Sequence, residues 1–310
     1  MAKARELKRR IRSVENTRKI TKTMEMVATS KLKRAQDRVV GARPYARALA
    51  EVIGDLYSPE LAERFPLLRQ PARGASPHRT ALLLITSNRG LCGAFNANLI
   101  REARRRITEI EQRGAQVELH VVGKKGVNFF RFARRAIASQ RIDVGDKPTA
   151  AHAAELVAPL IAQFEIGGLD AVDVVYAEFR SAVSTPPAVL RVLPVAPPPA
   201  ERRNDGTTEG EVRERSVIPS YRHSVNYILR PSADEILARL LPLYVQNQVY
   251  RALVETAAAE HGARRTAMKN ATDSAGDMLD ILRRTFNRAR QAQITQEISE
   301  IVGGAEALRG

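Results

Sequence analysis

Two proline-free stretches at opposite ends of the chain constrain its fold more than any other feature. Residues 3–41 contain no proline, and their only glycine is Gly41. Apolar or small residues recur there at Leu7, Ile11, Val14, Thr17, Thr21, Met24, Ala28, Leu32, Ala35 and Val39. The steps alternate between three and four, which is the 3.5-residue repeat of a coiled-coil seam. A helix of roughly 40 residues is a rod of about 60 Å, longer than a compact domain needs, so it must lie along a partner of similar length. Pro44 is expected to kink or end it, although the sequence YARALAEVIGDLY can resume it.

The partner is in the same chain. Leu243 to Val302 is also free of proline, and Met268, Ala271, Ala275, Met278, Leu282, Phe286 and Ala289 repeat the same steps, with Ile294, Ile298 and Ile301 continuing after a shift. The glycine pair at 303–304 is expected to stop the helix. Two such segments predict an antiparallel coiled coil made by residues 1–57 and 231–310. Residues 58–230 then form a domain hanging from it.

That middle region alternates strand and helix patterns. RTALLLITS (79–87), QVELHVVG (116–123) and AVDVVYAEF (171–179) read as strands; GAFNANLIREARRRITEIEQRG (93–114), GVNFFRFARR (126–135) and AAHAAELVAPLIAQFE (150–165) read as helices. The alternation predicts a small α/β domain with a largely parallel sheet. Proline followed by charge near 197–216 predicts an exposed, mobile connection.

Charge narrows the surroundings. The chain carries +16, and residues 1–43 hold 14 Lys or Arg against 4 Asp or Glu. Such a segment expects an anionic neighbour: nucleic acid, lipid head groups or an acidic protein surface. Residues 1–44 contain no aromatic side chain on which single-stranded bases could stack. The small seam residues are poor membrane anchors. A coiled-coil scaffold that binds nucleic acid through this basic helix remains the alternative reading. Cys92 is the sole cysteine, which fits a reducing compartment. There is no apolar signal core, no run of about 18 apolar residues, and no room for a transit peptide before the first helix.

Catalytic chemistry is hard to find. NRGLCGAFN (88–96) joins a strand to a helix, the usual place for a phosphate loop, but its glycines fit neither GxGxxG nor GxxxxGK[ST]. GKKG (123–126) is too short and lacks the following Ser or Thr. Both read instead as tight turns that let helices pack closely on strands. The five histidines show no metal-ligand spacing. No cofactor or metal is expected.

Whole-chain motifs carry a resemblance. SVENTRKITKTMEMVATSKLKRAQ (13–36), SNRGLCGAFNANL (87–99), VGKKGVNFF (122–130), YVQNQVYRALVETAAAEHGARRTAMKNATD (244–273) and NRARQAQITQEISEIVGGAEAL (287–308) resemble, in order, segments of the gamma subunit of F-type ATP synthases. The resemblance implies a central rotor shaft without catalytic residues of its own, present in one copy. It implies an alpha/beta hexamer around the coiled coil, and an epsilon subunit and c ring beside the globular part. It implies alpha/beta contacts at Met24, Arg264, Gln291 and Thr295, with Arg264 bonding an acidic beta loop, and a c-ring-facing foot near Tyr227. The missing cysteine pair and transit peptide imply a bacterial complex, peripheral on the cytoplasmic face of the inner membrane. Arg265, where an apolar residue is usual, Gly262 in place of alanine, and the charged stretch 201–216 depart from the pattern.

Overall fold

A computed structural model describes residues 2–56, 64–69, 78–182, 184–195 and 233–307. Tyr227 and the connection at 197–216 lie outside them. Two long helices, α1 (Ala2–Leu56) and α5 (Ala233–Ala307), pack along each other. Between them in sequence come β1 (Arg79–Ile85), α2 (Phe95–Gln112), β2 (Gln116–Val122), α3 (Lys124–Phe132), β3 (Ser139–Arg141), α4 (Ala150–Glu165), β4 (Ala171–Ala177) and β5 (Pro187–Leu193).

The shaft is antiparallel. Thr21 meets Thr272, their hydroxyl oxygens 2.8 Å apart, and Glu15 meets Arg283 at 2.7 Å. Ala28, Leu32, Ala35 and Val39 bury on α1; Met268, Thr272, Ala275 and Leu279 bury on α5. Thr272 Oγ1 also lies 2.8 Å from the Met268 carbonyl, so a polar seam position is satisfied rather than orphaned. Met278, expected in the seam, is exposed, and Leu279 takes its place. A straight helix drifts against a strict heptad, so the buried stripe shifts by one residue.

Neither the prolines nor the glycine pair ends a long helix, although a kink or end at Pro44 and a stop at 303–304 were expected. α1 continues through Pro44, because Leu49 and Ile53 beyond it bury in the domain core. α5 begins before Pro242 and runs through it, with Leu237, Leu241 and Val245 buried on either side. Burial of that size, about 1.5–3 kcal/mol per large aliphatic side chain, offsets a lost backbone hydrogen bond. α5 also passes Gly303 and Gly304: neither takes the positive φ that turns a glycine into a helix stop.

The sheet order is β3-β2-β1-β4-β5, parallel except for β5, which pairs antiparallel with β4. Both faces are covered, which explains the unbroken apolar run in β1. Ala81, Leu83 and Ile85 face α4, lower α1 and the start of α5. Leu82 and Leu84 face α2, α3 and the upper shaft, including Leu32, Ala35, Val254 and Ala258. The side domain and the shaft therefore share two cores.

Candidate partner interface

The strand order reverses between β1 and β4, and the carboxyl ends of such neighbouring strands form the usual ligand crevice of a doubly wound sheet. Here the shaft occupies that crevice. Thr256 Oγ1 on α5 accepts the Ala177 amide at 3.2 Å, and Glu255 Oε2 accepts that of Phe179 at 3.4 Å. A cavity of about 30 Å³ remains, lined by residues that include Thr86, Asn88, Asp146, Thr256 and Glu260. That is room for about one water molecule, not a nucleotide.

The two glycine-containing loops are likewise committed to the fold. Gly123 caps α3 at φ +97, and a Cβ there would stand 2.1 Å from the Thr86 carbonyl oxygen. The first amides of α3 are taken: Lys124 donates to Asn88 Oδ1 (2.9 Å), Lys125 to the Ser87 carbonyl (3.1 Å), and Gly126 to Thr86 Oγ1 (3.0 Å). A phosphate would find no free donor among them. In the 88–94 loop, the carbonyls of Arg89 and Gly90 face the Arg264 guanidinium. Gly93, at φ +59, brings the chain near Ala267.

Around this loop a charged cluster joins the shaft to the domain. Lys31 on α1 bonds Asp146, which precedes α4. Arg264 donates to Glu260 Oε1 at 2.5 Å and to His261 Nδ1 at 3.3 Å. Burial pushes the Glu260 carboxyl up despite Arg264. Burial opposes ionisation of Asp146 too, but the hydrogen bond and charge of Lys31 hold it below the ordinary range. Burial, reinforced by Arg264, pushes His261 down to about 4, against the pull of Asp146. A neutral ring suits an Nδ1 that accepts from a guanidinium.

This fixes a pH dependence. His261 binds fewer protons folded than unfolded between its unfolded pKa of about 6.5 and the folded value of about 4, so its contribution to stability falls as pH drops through that window. The loss is on the order of 3 kcal/mol when complete. His261→Gln keeps an acceptor for Arg264 but cannot titrate. Its stability difference from the parent, measured by denaturant unfolding, should shift in its favour between pH 7 and pH 4.5; parallel pH profiles would show that His261 is not held neutral.

The other expected contact residues sit elsewhere on the shaft. Met24 is half-buried beside the seam, and Gln291 and Thr295 are exposed, with the Thr295 hydroxyl bonding the Gln291 carbonyl at 3.0 Å. Arg264 is different. It is 8% exposed, and it bonds the Gly90 carbonyl, His261 and Glu260. Sequence reasoning missed Glu260 and His261 as its partners, and Lys31 and Asp146 as the charged pair felt by Glu260 and His261.

The far end of α5 has no partner on α1. Extending the Thr21–Thr272 and Glu15–Arg283 register places the start of α1 level with about residue 293, so the last dozen or so described residues project alone. Ile294, Ile298, Ile301 and Val302 lie exposed there. Among the described residues no group of His, Cys, Asp and Glu could hold a metal ion, and no helix is long and apolar enough to cross a membrane.

Comparison with known proteins decides the family. The family model described as ATP synthase matches residues 3–308. The ATP synthase gamma chain of Gemmatimonas aurantiaca is 63% identical over 310 residues, covering all of both chains. The chain belongs to the ATP synthase gamma-chain family. The gamma chain of Moorella thermoacetica is 44% identical over 309 residues, again covering 100% of each. Among solved structures, a chain of the Euglena gracilis mitochondrial ATP synthase (OSCP/F1/c-ring, rotational state 3) aligns with a TM-score of 0.66 at 19% identity, over 99% of this chain and 95% of that one. A chain of the Tetrahymena thermophila central stalk/c-ring structure aligns at 0.55 with 24% identity, over 81% and 99%. These two establish likeness of fold: two terminal helices and a mostly parallel central sheet.

Proposed function

We propose that this chain is the central rotor shaft of an ATP synthase, transmitting torque between a membrane c ring and a catalytic alpha/beta hexamer. The observation that carries the reading is the lone end of α5. It is a stiff rod bearing an apolar stripe that the other described residues leave uncovered, in a gamma-chain relative. A surrounding hexamer would cover it. Gln291 and Thr295 lie at the base of that projection and Met24 lies on the paired shaft, where alpha and beta contacts are expected. Arg264 serves the same interface. Tyr227 is assigned to a foot toward the c ring, with the epsilon subunit beside the globular domain. One copy per hexamer follows from the role.

The chain is non-catalytic on this reading: its sheet crevice is filled by its own helix. It works by differential contact. A shaft unlike itself around its axis favours a different conformation of each catalytic subunit, and the free energy transmitted is the difference between those contacts. The assembly belongs on the cytoplasmic face of a bacterial inner membrane, with this chain peripheral. The basic residues of α1 line its exposed faces, several already paired along the helix, as in Lys22–Glu25 and Lys33–Asp37. They suit an acidic protein wall better than the nucleic acid of the alternative reading. Mixing the chain with alpha and beta subunits tests this. Co-elution at one copy per hexamer and ATP hydrolysis that depends on the chain are expected. A chain that elutes alone and binds DNA with steep salt dependence would overturn it.

A further inference from the structure

We propose that Arg264 is a positioning residue, acting on the surrounding subunits through the Asn88–Ala94 loop that it holds in shape rather than by touching them. The inference rests on the shaft reading above and names how one residue serves it. The loop is costly in isolation. Leu91 sits at φ 62, a region that a side chain branched at Cγ enters at a cost of about 1–2 kcal/mol. It also points an apolar side chain outward, 62% exposed. Strain of this kind persists only where the surroundings over-determine it.

The surroundings do so from three directions. Arg264 Nε and Nη2 each donate to the Gly90 carbonyl at 3.3 Å, and Nη2 reaches the Arg89 carbonyl at 3.5 Å. Ser87 Oγ donates to the same Arg89 carbonyl at 2.6 Å. Asn88 Nδ2 donates to the carbonyls of Ile142 and Val144 at 2.9 and 3.0 Å. Of these, the Arg264 bonds alone span from the shaft to the residues flanking Leu91. The guanidinium is buried and its charge is met by Glu260, so little of it is left to offer a neighbouring molecule, whereas Leu91 is free to make contact. The shaft thus sets the shape of a loop on the side domain, and the loop presents the contact.

The test uses the complex assembled with alpha, beta, epsilon and the membrane sector. Arg264→Gln should lower coupled ATP synthesis about tenfold, the equivalent of losing one charge-assisted bond. Amide hydrogen exchange across residues 88–94 should rise by a similar factor. Adding Leu91→Ala to Arg264→Gln should cost nothing further, because both act through one loop. Arg264→Lys, which cannot fork onto two carbonyls, should recover only part of the activity and is the fallback if the glutamine variant does not assemble. Lost synthesis with unchanged exchange would show direct contact and overturn the inference, as would losses that multiply in the double variant or synthesis that does not fall. Failure of the unmodified chain to assemble would instead remove the shaft reading.

Discussion

Asp173→Ala should destabilise the chain by about 3–5 kcal/mol, a large share of the stability of an ordinary domain. Asp173 lies in the middle of β4 with no exposed surface. Arg106 on α2 donates to its Oδ2 from Nε at 2.9 Å and Nη2 at 2.7 Å. Arg191 on β5 donates from Nε to Oδ1 at 2.8 Å. One carboxylate therefore joins a helix and the antiparallel edge strand to the sheet's centre. Truncation leaves two guanidiniums facing each other, one largely buried, without their shared anion. Burying an uncompensated charge costs more than the intact cluster contributes, which is why removing one partner is severe. Chemical denaturation of the isolated chain measures this. A loss below about 1 kcal/mol would mean the arginines relax into water and the cluster is dispensable.

Gly123→Ala should cost roughly 3 kcal/mol or more, combining a left-handed backbone with an overlap that cannot be relieved by rotating a side chain. The added methyl would stand 2.1 Å from the Thr86 carbonyl oxygen, at φ +97. Thr86 is itself anchored: its hydroxyl bonds the Val122 carbonyl at 2.9 Å and receives the Gly126 amide at 3.0 Å. Moving it disturbs the junction of β1, β2 and α3 together. Gly41→Ala is the control, since a methyl there meets nothing and alanine favours a helix. Thermal unfolding followed by circular dichroism should separate the two. Equal melting temperatures would show that the α3 cap is looser than the geometry indicates.

What the sequence disclosed follows from how local each signal is. α4 is read from Ala150 to Glu165 at both ends, because its apolar stripe is clear and Thr149 caps it, accepting the His152 amide at 3.3 Å. β1, β2 and β4 stand out as short apolar runs. β3 does not: Ser-Gln-Arg has no apolar pattern, and only backbone pairing to His120–Val122 makes it a strand. β5 escaped because it begins at a proline and leads into a proline-rich stretch. The long helices were legible, but their passage through Pro44 and Pro242 depends on cores assembled from distant residues. Around Arg264 only Glu260 and His261, one turn back on the same helix, lay within reach of a local pattern. Gly90 lies 174 positions away from it, and Lys31 and Asp146 are 115 apart. Nothing in a local pattern joins them. The family resemblance implied a partner for the arginine; the loop carbonyls it also meets have no signal in the sequence around it.

The central claim is that this chain turns within a catalytic hexamer. Phe132, at the end of α3 and 89% exposed, offers a place for a probe. Cys92, the only native cysteine, is buried, so Phe132→Cys can be labelled selectively. With alpha and beta subunits fixed to a surface and ATP supplied, a bead on Phe132→Cys should rotate in one direction, at a rate that follows hydrolysis. Sustained hydrolysis with a stationary bead would contradict the account.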